Sequence, residues 1–489
     1  MRKFLLWMAS GAAVAAAATA VVPTVSAAST ATDELNWGPC PTTPVPTPDL
    51  ECTTLRVPLD YQDPGGRKVE IAVSRLPSKN PEQRRGVLLT NPGGPGGGGL
   101  DYPQLLTESV LPKPLPPSVR DQYDVIGFDP RGVGHSAPVT CDLTPEQIAI
   151  GNLPYAHDSA DVVRQAEVSK AEAEQCANSA TGSTLPFITT ANTARDMDAI
   201  REALGESTAS YLGASYGSYL GAVYTTMFPE RSDRVVLDSN LGPNGYDIGA
   251  MRAFGRGMEE RFPDFARFAA ARPDYGLGTT PDEVTAKFDE LADRLDREPV
   301  AAYNGTVFRG LTFSLLYSAD LEPLAKAWQA LDEGEDPELP GSEPPASDNV
   351  PASRFAVICG DSAWPRSVES YQRDVEADRE RYPKLGAASA NISPCAFWAD
   401  PAEPKVRITD RGPSNVLLVQ NERDPGTPMA GARELRSALG DRARMVSVDE
   451  GGHGVYVVGA NQCANDAVTD FLTTGARPER DSSCAPESR

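Results

Sequence analysis

Residues 209–228 read ASYLGASYGSYLGAVYTTMF. Ala209–Gly213 is a short apolar run edged by small residues, which predicts a buried strand. From about Tyr216 to Phe228 the expectation is a helix. Between them stands Gly213-Ala214-Ser215-Tyr216-Gly217, a serine at G-x-S-x-G spacing. In that context the serine sits on a sharp strand-to-helix turn, with its hydroxyl lifted clear of the sheet. The start of the helix aims free N–H groups and a partial positive charge at the same point.

Strand-like runs recur outward from this unit, at Thr53–Leu59, Val69–Leu76, Val87–Thr90, Tyr123–Asp129, Arg234–Asp238, Asn415–Gln420 and Arg444–Val448. Helical patterns lie between or after them, at Ala191–Leu204, Ala430–Leu439 and near Ala464–Leu472. Alternation of this kind predicts an α/β protein, a mostly parallel central sheet with helices on both faces. The rhythm breaks between about 245 and 405. Met251–Ala271 and Pro281–Leu295 read as amphipathic helices, and the Pro- and acid-rich stretch Glu333–Pro351 as a mobile loop. The expected organisation is a signal peptide at 1–27, an extended leader at 28–50 and a first core part at 51–245. An inserted, mainly helical cap follows at 246–404, and the core resumes at 405–489.

A serine hydroxyl needs a base to become a nucleophile. The chain has three histidines. His453 follows a late strand in Glu450-Gly451-Gly452-His453-Gly454, where flanking glycines suit a loop that brings an imidazole close to other backbone. His157 reads as a surface residue. His135 lies in a loop read as structural, with Asp129 and Arg131 bonding locally. The base needs an orienting carboxylate. Asp424 fits, because Asn415–Gln420 is a clean buried-strand run and Asp424 lies in the loop at its carboxyl end, where such sheets gather their catalytic groups. Glu422 is the competing acid in that loop. The order Ser215, Asp424, His453 is the chain order of an α/β-hydrolase fold. Oxyanion donors are expected from the N–H of Tyr216 and from the Gly-rich loop after Val87–Thr90, where Gly93 and Gly94 lie. That loop lacks the Gly-Lys-Ser/Thr or G-x-G-x-x-G of a phosphate cradle.

Arg2 and Lys3, the Ala-rich apolar stretch Phe4–Val22 and the small residues at 25–28 form an export signal, with cleavage after Ala27 or Ala28. No later stretch is apolar enough to span a bilayer, so no membrane association is expected once the signal is removed. The formal charge of -23 disfavours nucleic acid and anionic membranes as partners. In an exported chain an even count of eight cysteines implies disulfides, and the wide spacings without CxxC argue against a zinc site. Pairing in chain order (Cys40–Cys52, Cys141–Cys176, Cys359–Cys395, Cys463–Cys484) would close short local loops. Eight cysteines allow roughly a hundred pairings, and the sequence does not choose among them. No metal or cofactor is expected.

Five motifs occur in order: Asn91-Pro92-Gly93-Gly94-Pro95-Gly96, Gly127-Phe128-Asp129-Pro130-Arg131-Gly132, Gly213–Gly217, Asp424-Pro425-Gly426-Thr427-Pro428 and Gly452-His453-Gly454. Together, over about residues 35–484, they resemble the secreted tripeptidyl aminopeptidases of actinomycetes, relatives of the prolyl aminopeptidases. The resemblance implies hydrolysis near the free N-termini of peptides or proteins, releasing short peptides through an acyl-enzyme. It implies Gly94 as an oxyanion donor. Prolyl aminopeptidases usually carry His where Pro92 stands, which favours the tripeptidyl branch. Within the same machinery the alternatives are a carboxylesterase or lipase-like enzyme, or a prolyl aminopeptidase. A non-catalytic hydrolase scaffold is the alternative of a different class. Glu259, Glu260 and Asp361 are acids that a cap could offer to the substrate ammonium, and none is assigned that role.

Overall fold

The computed structural model describes residues 35–41, 49–109, 111–150, 153–337 and 347–487. The expected signal peptide at 1–27 lies outside them, as does most of the leader.

Among the described residues the strands are β1 Gly38–Pro39, β2 Glu51–Pro58, β3 Lys68–Leu76, β4 Gly86–Asn91, β5 Tyr123–Phe128, β6 Ala209–Ala214, β7 Ser232–Asp238, β8 Val416–Arg423, β9 Ala443–Gly451 and β10 Ser482–Cys484. They form one sheet in the order β1-β2-β3-β5-β4-β6-β7-β8-β9-β10. The β1–β2, β2–β3 and β3–β5 pairs are antiparallel. From β5 through β4 to β10 every pair is parallel.

Successive residues of the central strands divide between two hydrophobic clusters, as the two-residue period of a pleated strand requires. Leu89, Ile126, Tyr211, Val235 and Leu418 face one cluster, with Met197, Leu220 and Val223 from the helices Thr190–Ala203 and Tyr216–Met227. Leu88, Val125, Leu212, Val236 and Leu417 face the other, with Val119, Val468 and Phe471 from Pro117–Gln122 and Gln462–Thr474. Helices therefore cover both faces, and all six residues of β4 and of β5 are buried.

Among the described residues the chain between β7 and β8 contributes helices and no strand to this sheet. Helix Pro281–Arg297 starts on a capping box of Thr280 and Glu283. Trp328 is fully buried, with the rings of Phe265, Phe308, Phe288 and Phe262 at 4.8, 5.3, 5.7 and 6.0 Å. A helix at Ser159–Asn178, which periodicity did not single out, joins these elements. Its Val162 and Ala166 cluster with Tyr371, Val375 and Ile392.

In the leader, β1 pairs with β2 and Cys40 is bonded to Cys52, which ties this segment to the sheet edge. One expectation needs correction. The stretch 333–351 is not all loop. Helix Asn349–Asp361 begins inside it, seated by the burial of Ala352 and Ser353 just past the end of the stretch, which the Pro- and acid-rich composition did not signal. Residues 338–346 lie outside the described residues. The other disulfides are Cys141–Cys176, Cys359–Cys395 and Cys463–Cys484.

Candidate active site

Ser215 stands between the last residue of β6 and the first of helix Tyr216–Met227, with φ 59° and ψ −127°. A side-chain-bearing residue with positive φ is strained and persists only where its surroundings fix it. Here the Ser215 N–H donates to the Asp238 carbonyl at 3.0 Å, and the Ser215 carbonyl accepts from the Ser218 N–H at 2.9 Å and its hydroxyl at 2.5 Å. The turn also needs room. A methyl group on Gly217 would stand 2.6 Å from the Asn91 carbonyl, and one on Gly93 would stand 2.8 Å from Ser215 Cβ.

The Gly-rich loop thus crosses the Ser215 turn at Gly93, whose N–H donates to Asn91 Oδ1 at 3.0 Å. Gly94 follows with φ +111° and turns toward its own loop, at Gly96 and Gly97. Tyr216 is the first residue of its helix, so its N–H has no acceptor one turn earlier. Its ring hydroxyl meets Thr190 Oγ1 at 2.6 Å, and that hydroxyl donates to Asp361 at 2.5 Å.

Asp424 follows β8 directly and is fully buried. Its Oδ1 accepts from the N–H groups of Gly426 and Thr427, and its Oδ2 from the Thr427 hydroxyl, each at 2.9 Å. His453 Nδ1 lies 2.9 Å from both oxygens. The His453 N–H donates to the Tyr317 carbonyl at 2.7 Å, and the two rings are 4.7 Å apart. Tyr317 thereby brings the helical segment against the imidazole. Burial alone would lower the His453 pKa, but the charges of Asp424 and, behind it, Asp238 outweigh this and hold it above the ordinary 6.5.

Structure brings Asp424 and His453 into contact and sets Ser215 across β7 from β8, at the same carboxyl rim. Among the described residues the half-buried Ser215 hydroxyl has no hydrogen-bond partner, including His453. Hydrogen bonds of this kind often tighten only in the substrate complex.

Sequence reasoning missed Asp238, the last residue of β7. It is buried, and its carboxylate accepts from the Ser239 hydroxyl and from the N–H groups of Val455 and Tyr456. Its one signal was its position at a strand's carboxyl end, one strand from the serine.

The remaining candidates are engaged elsewhere. Glu422 accepts from the Ser447 hydroxyl at 3.2 Å. His135 is half exposed beside Asp129, and His157 is exposed beside Asp296. Arg131 does not bond within its own loop as expected. It forms a buried pair with Asp196 at 2.6 Å, while the carboxylate of its own loop, Asp129, is taken by the N–H groups of Gly99, Leu100 and His135. Glu259 pairs with Lys384, Glu260 with Arg256, and Asp361 with Thr190.

Residues 86–297 match the family model described as alpha/beta hydrolase fold, and residues 382–484 the one described as TAP-like protein. The chain is 34% identical to a tripeptidyl aminopeptidase of Streptomyces coelicolor, over 95% of its own length and 88% of the relative's. It is 31% identical to carboxylesterase B of Mycobacterium tuberculosis, over 89% and 86%. It is 27% identical to serine protease Hip1 of the same species, over 92% and 91%.

Proposed function

Since the chain belongs to the tripeptidyl aminopeptidase family of α/β hydrolases, we propose that it is a serine exopeptidase that removes short peptides, chiefly tripeptides, from free N-termini. Ser215 attacks the scissile carbonyl while His453 takes its proton, and Asp424 holds the imidazole and stabilises the imidazolium. The developing oxyanion is met by the N–H groups of Tyr216 and Gly94. His453 then protonates the leaving amine, and water, deprotonated by the same imidazole, resolves the acyl-enzyme. The observation that carries this reading is the Asp424–His453 pair on the rim that also bears Ser215 at its strained turn.

Action outside the cell fits the N-terminal pattern and four disulfides among the described residues. No helix among the described residues is long and apolar enough to cross a membrane. The segment 246–404 would act as a cap that blocks internal cleavage. Peptide or protein N-termini are the proposed substrates.

The carboxylesterase reading is favoured by the mycobacterial relative of that name, and the triad serves an ester as well as an amide. Comparing free and N-acetylated forms of one peptide divides the two. The exopeptidase loses activity on acetylation. Equal cleavage of both forms, or hydrolysis confined to small acyl esters, overturns it.

A further inference from the structure

We propose that Asp238 is a positioning residue of the catalytic centre, latching the nucleophile turn to the histidine loop and placing a second negative charge behind His453. The proposal rests on the serine-hydrolase reading above.

Two parts of one residue reach two loops. The Asp238 carbonyl accepts the Ser215 N–H at 3.0 Å. Its carboxylate accepts the Val455 N–H at 3.0 and 3.1 Å and the Tyr456 N–H at 2.8 Å. Next to it, the Ser239 hydroxyl accepts the Gly454 N–H at 2.8 Å and donates to Asp238 Oδ1 at 3.1 Å. Three consecutive N–H groups, at 454, 455 and 456, are thus taken by the end of β7 and the residue after it. All lie within three residues of His453. His453 itself is held at its imidazole by Asp424 and at its backbone N–H by the Tyr317 carbonyl.

The charges around the imidazole are few. Asp424 and Asp238 both act on it and favour its protonated form. Tyr102 faces Asp238, and Tyr317 and Tyr246 face Asp424. Burial raises the pKa of all three phenols, so they stay neutral. Arg354 acts on Tyr246 and Tyr317. Asp238 is itself pushed up to about 6 by burial, against the opposing pull of its N–H donors and His453. Above that pH it is ionised, and it adds to the proton affinity of the base without bonding to it.

The test is the pH profile of inactivation by a fluorophosphonate, which reads serine and base whatever the natural substrate. Asp238→Asn should slow inactivation about 10- to 100-fold and move the acid limb down by about half a pH unit or more, because one charge behind His453 is gone. Ser239→Ala and Asp238→Glu keep the charge. Each should slow inactivation and leave the acid limb in place, and they decide the matter if Asp238→Asn does not fold. Wild-type rate and wild-type acid limb in a folded Asp238→Asn, or a full rate in Asp238→Glu, overturns the proposal and leaves the hydrolase reading intact. Failure of the unmodified enzyme to react overturns the hydrolase reading itself.

Discussion

The Nδ1 atom of His453 lies 2.9 Å from each carboxylate oxygen of Asp424, and that carboxylate also accepts two N–H groups and a hydroxyl from its own loop. Every acceptor site is used, so the group is rigid, and it fixes the imidazole with its proton on Nδ1. Asp424→Asn would offer an amide N–H where acceptors are required and invert the tautomer. The expected result is a loss of about 10³–10⁴-fold in kcat on a tripeptidyl chromogenic substrate, with unchanged circular dichroism. A loss below about tenfold would remove Asp424 from the mechanism.

The base must be neutral to accept the serine proton. His453 holds its proton more tightly than a free imidazole, so kcat/KM should fall as pH drops through a value above 6.5. An acid limb well under 6.5, measured on the free enzyme, contradicts the pairing with Asp424.

Gly93 has φ +102°, and a methyl group there would meet the Ala214 carbonyl at 2.5 Å. Gly93→Ala should therefore lower stability by about 1–3 kcal/mol. It should also lower kcat more than it raises KM, because the oxyanion loop is displaced from Ser215. Thermal melting and steady-state kinetics check both. Wild-type values in each would show that the loop does not need this approach.

Glu172, on helix Ser159–Asn178, is pushed up from 4.5 to about 7 by burial alone. A folded-state pKa above the unfolded one gives stability that is present below about 4.5 and lost as pH rises through about 7. The side chain is partly solvated, so the loss is about 1 kcal/mol after screening. Glu172→Gln should raise the melting temperature at pH 8 and leave it unchanged at pH 4. An equal shift at both would show a packing effect instead.

The central strands were legible because Leu88, Leu89, Val125, Ile126, Val416 and Leu417 are buried on both faces, and such strands read as unbroken apolar runs. Ser215 and His453 were legible because glycines crowd them and histidines are scarce. Asp238 was not, since an acid ending an apolar run looks like any of 68 acidic residues until its N–H donors are seen. Tyr317 was invisible because its contact with His453 joins residues far apart in the chain and is made by a backbone carbonyl, which leaves no side-chain signature. Helix Ser159–Asn178 has a weakly apolar face built largely from Ala and Ser, whose small side chains give little periodic contrast. Glu260 pairs with Arg256 one turn away on its own helix, a spacing legible in sequence, whereas the partner of Glu259, Lys384, lies far along the chain and was not.

The most direct measurement is peptide mapping by mass spectrometry after reaction of the folded enzyme with a fluorophosphonate. The account predicts one adduct, on Ser215, absent from Ser215→Ala and formed far more slowly in His453→Ala. An adduct confined to another residue, or none on folded protein, would contradict it.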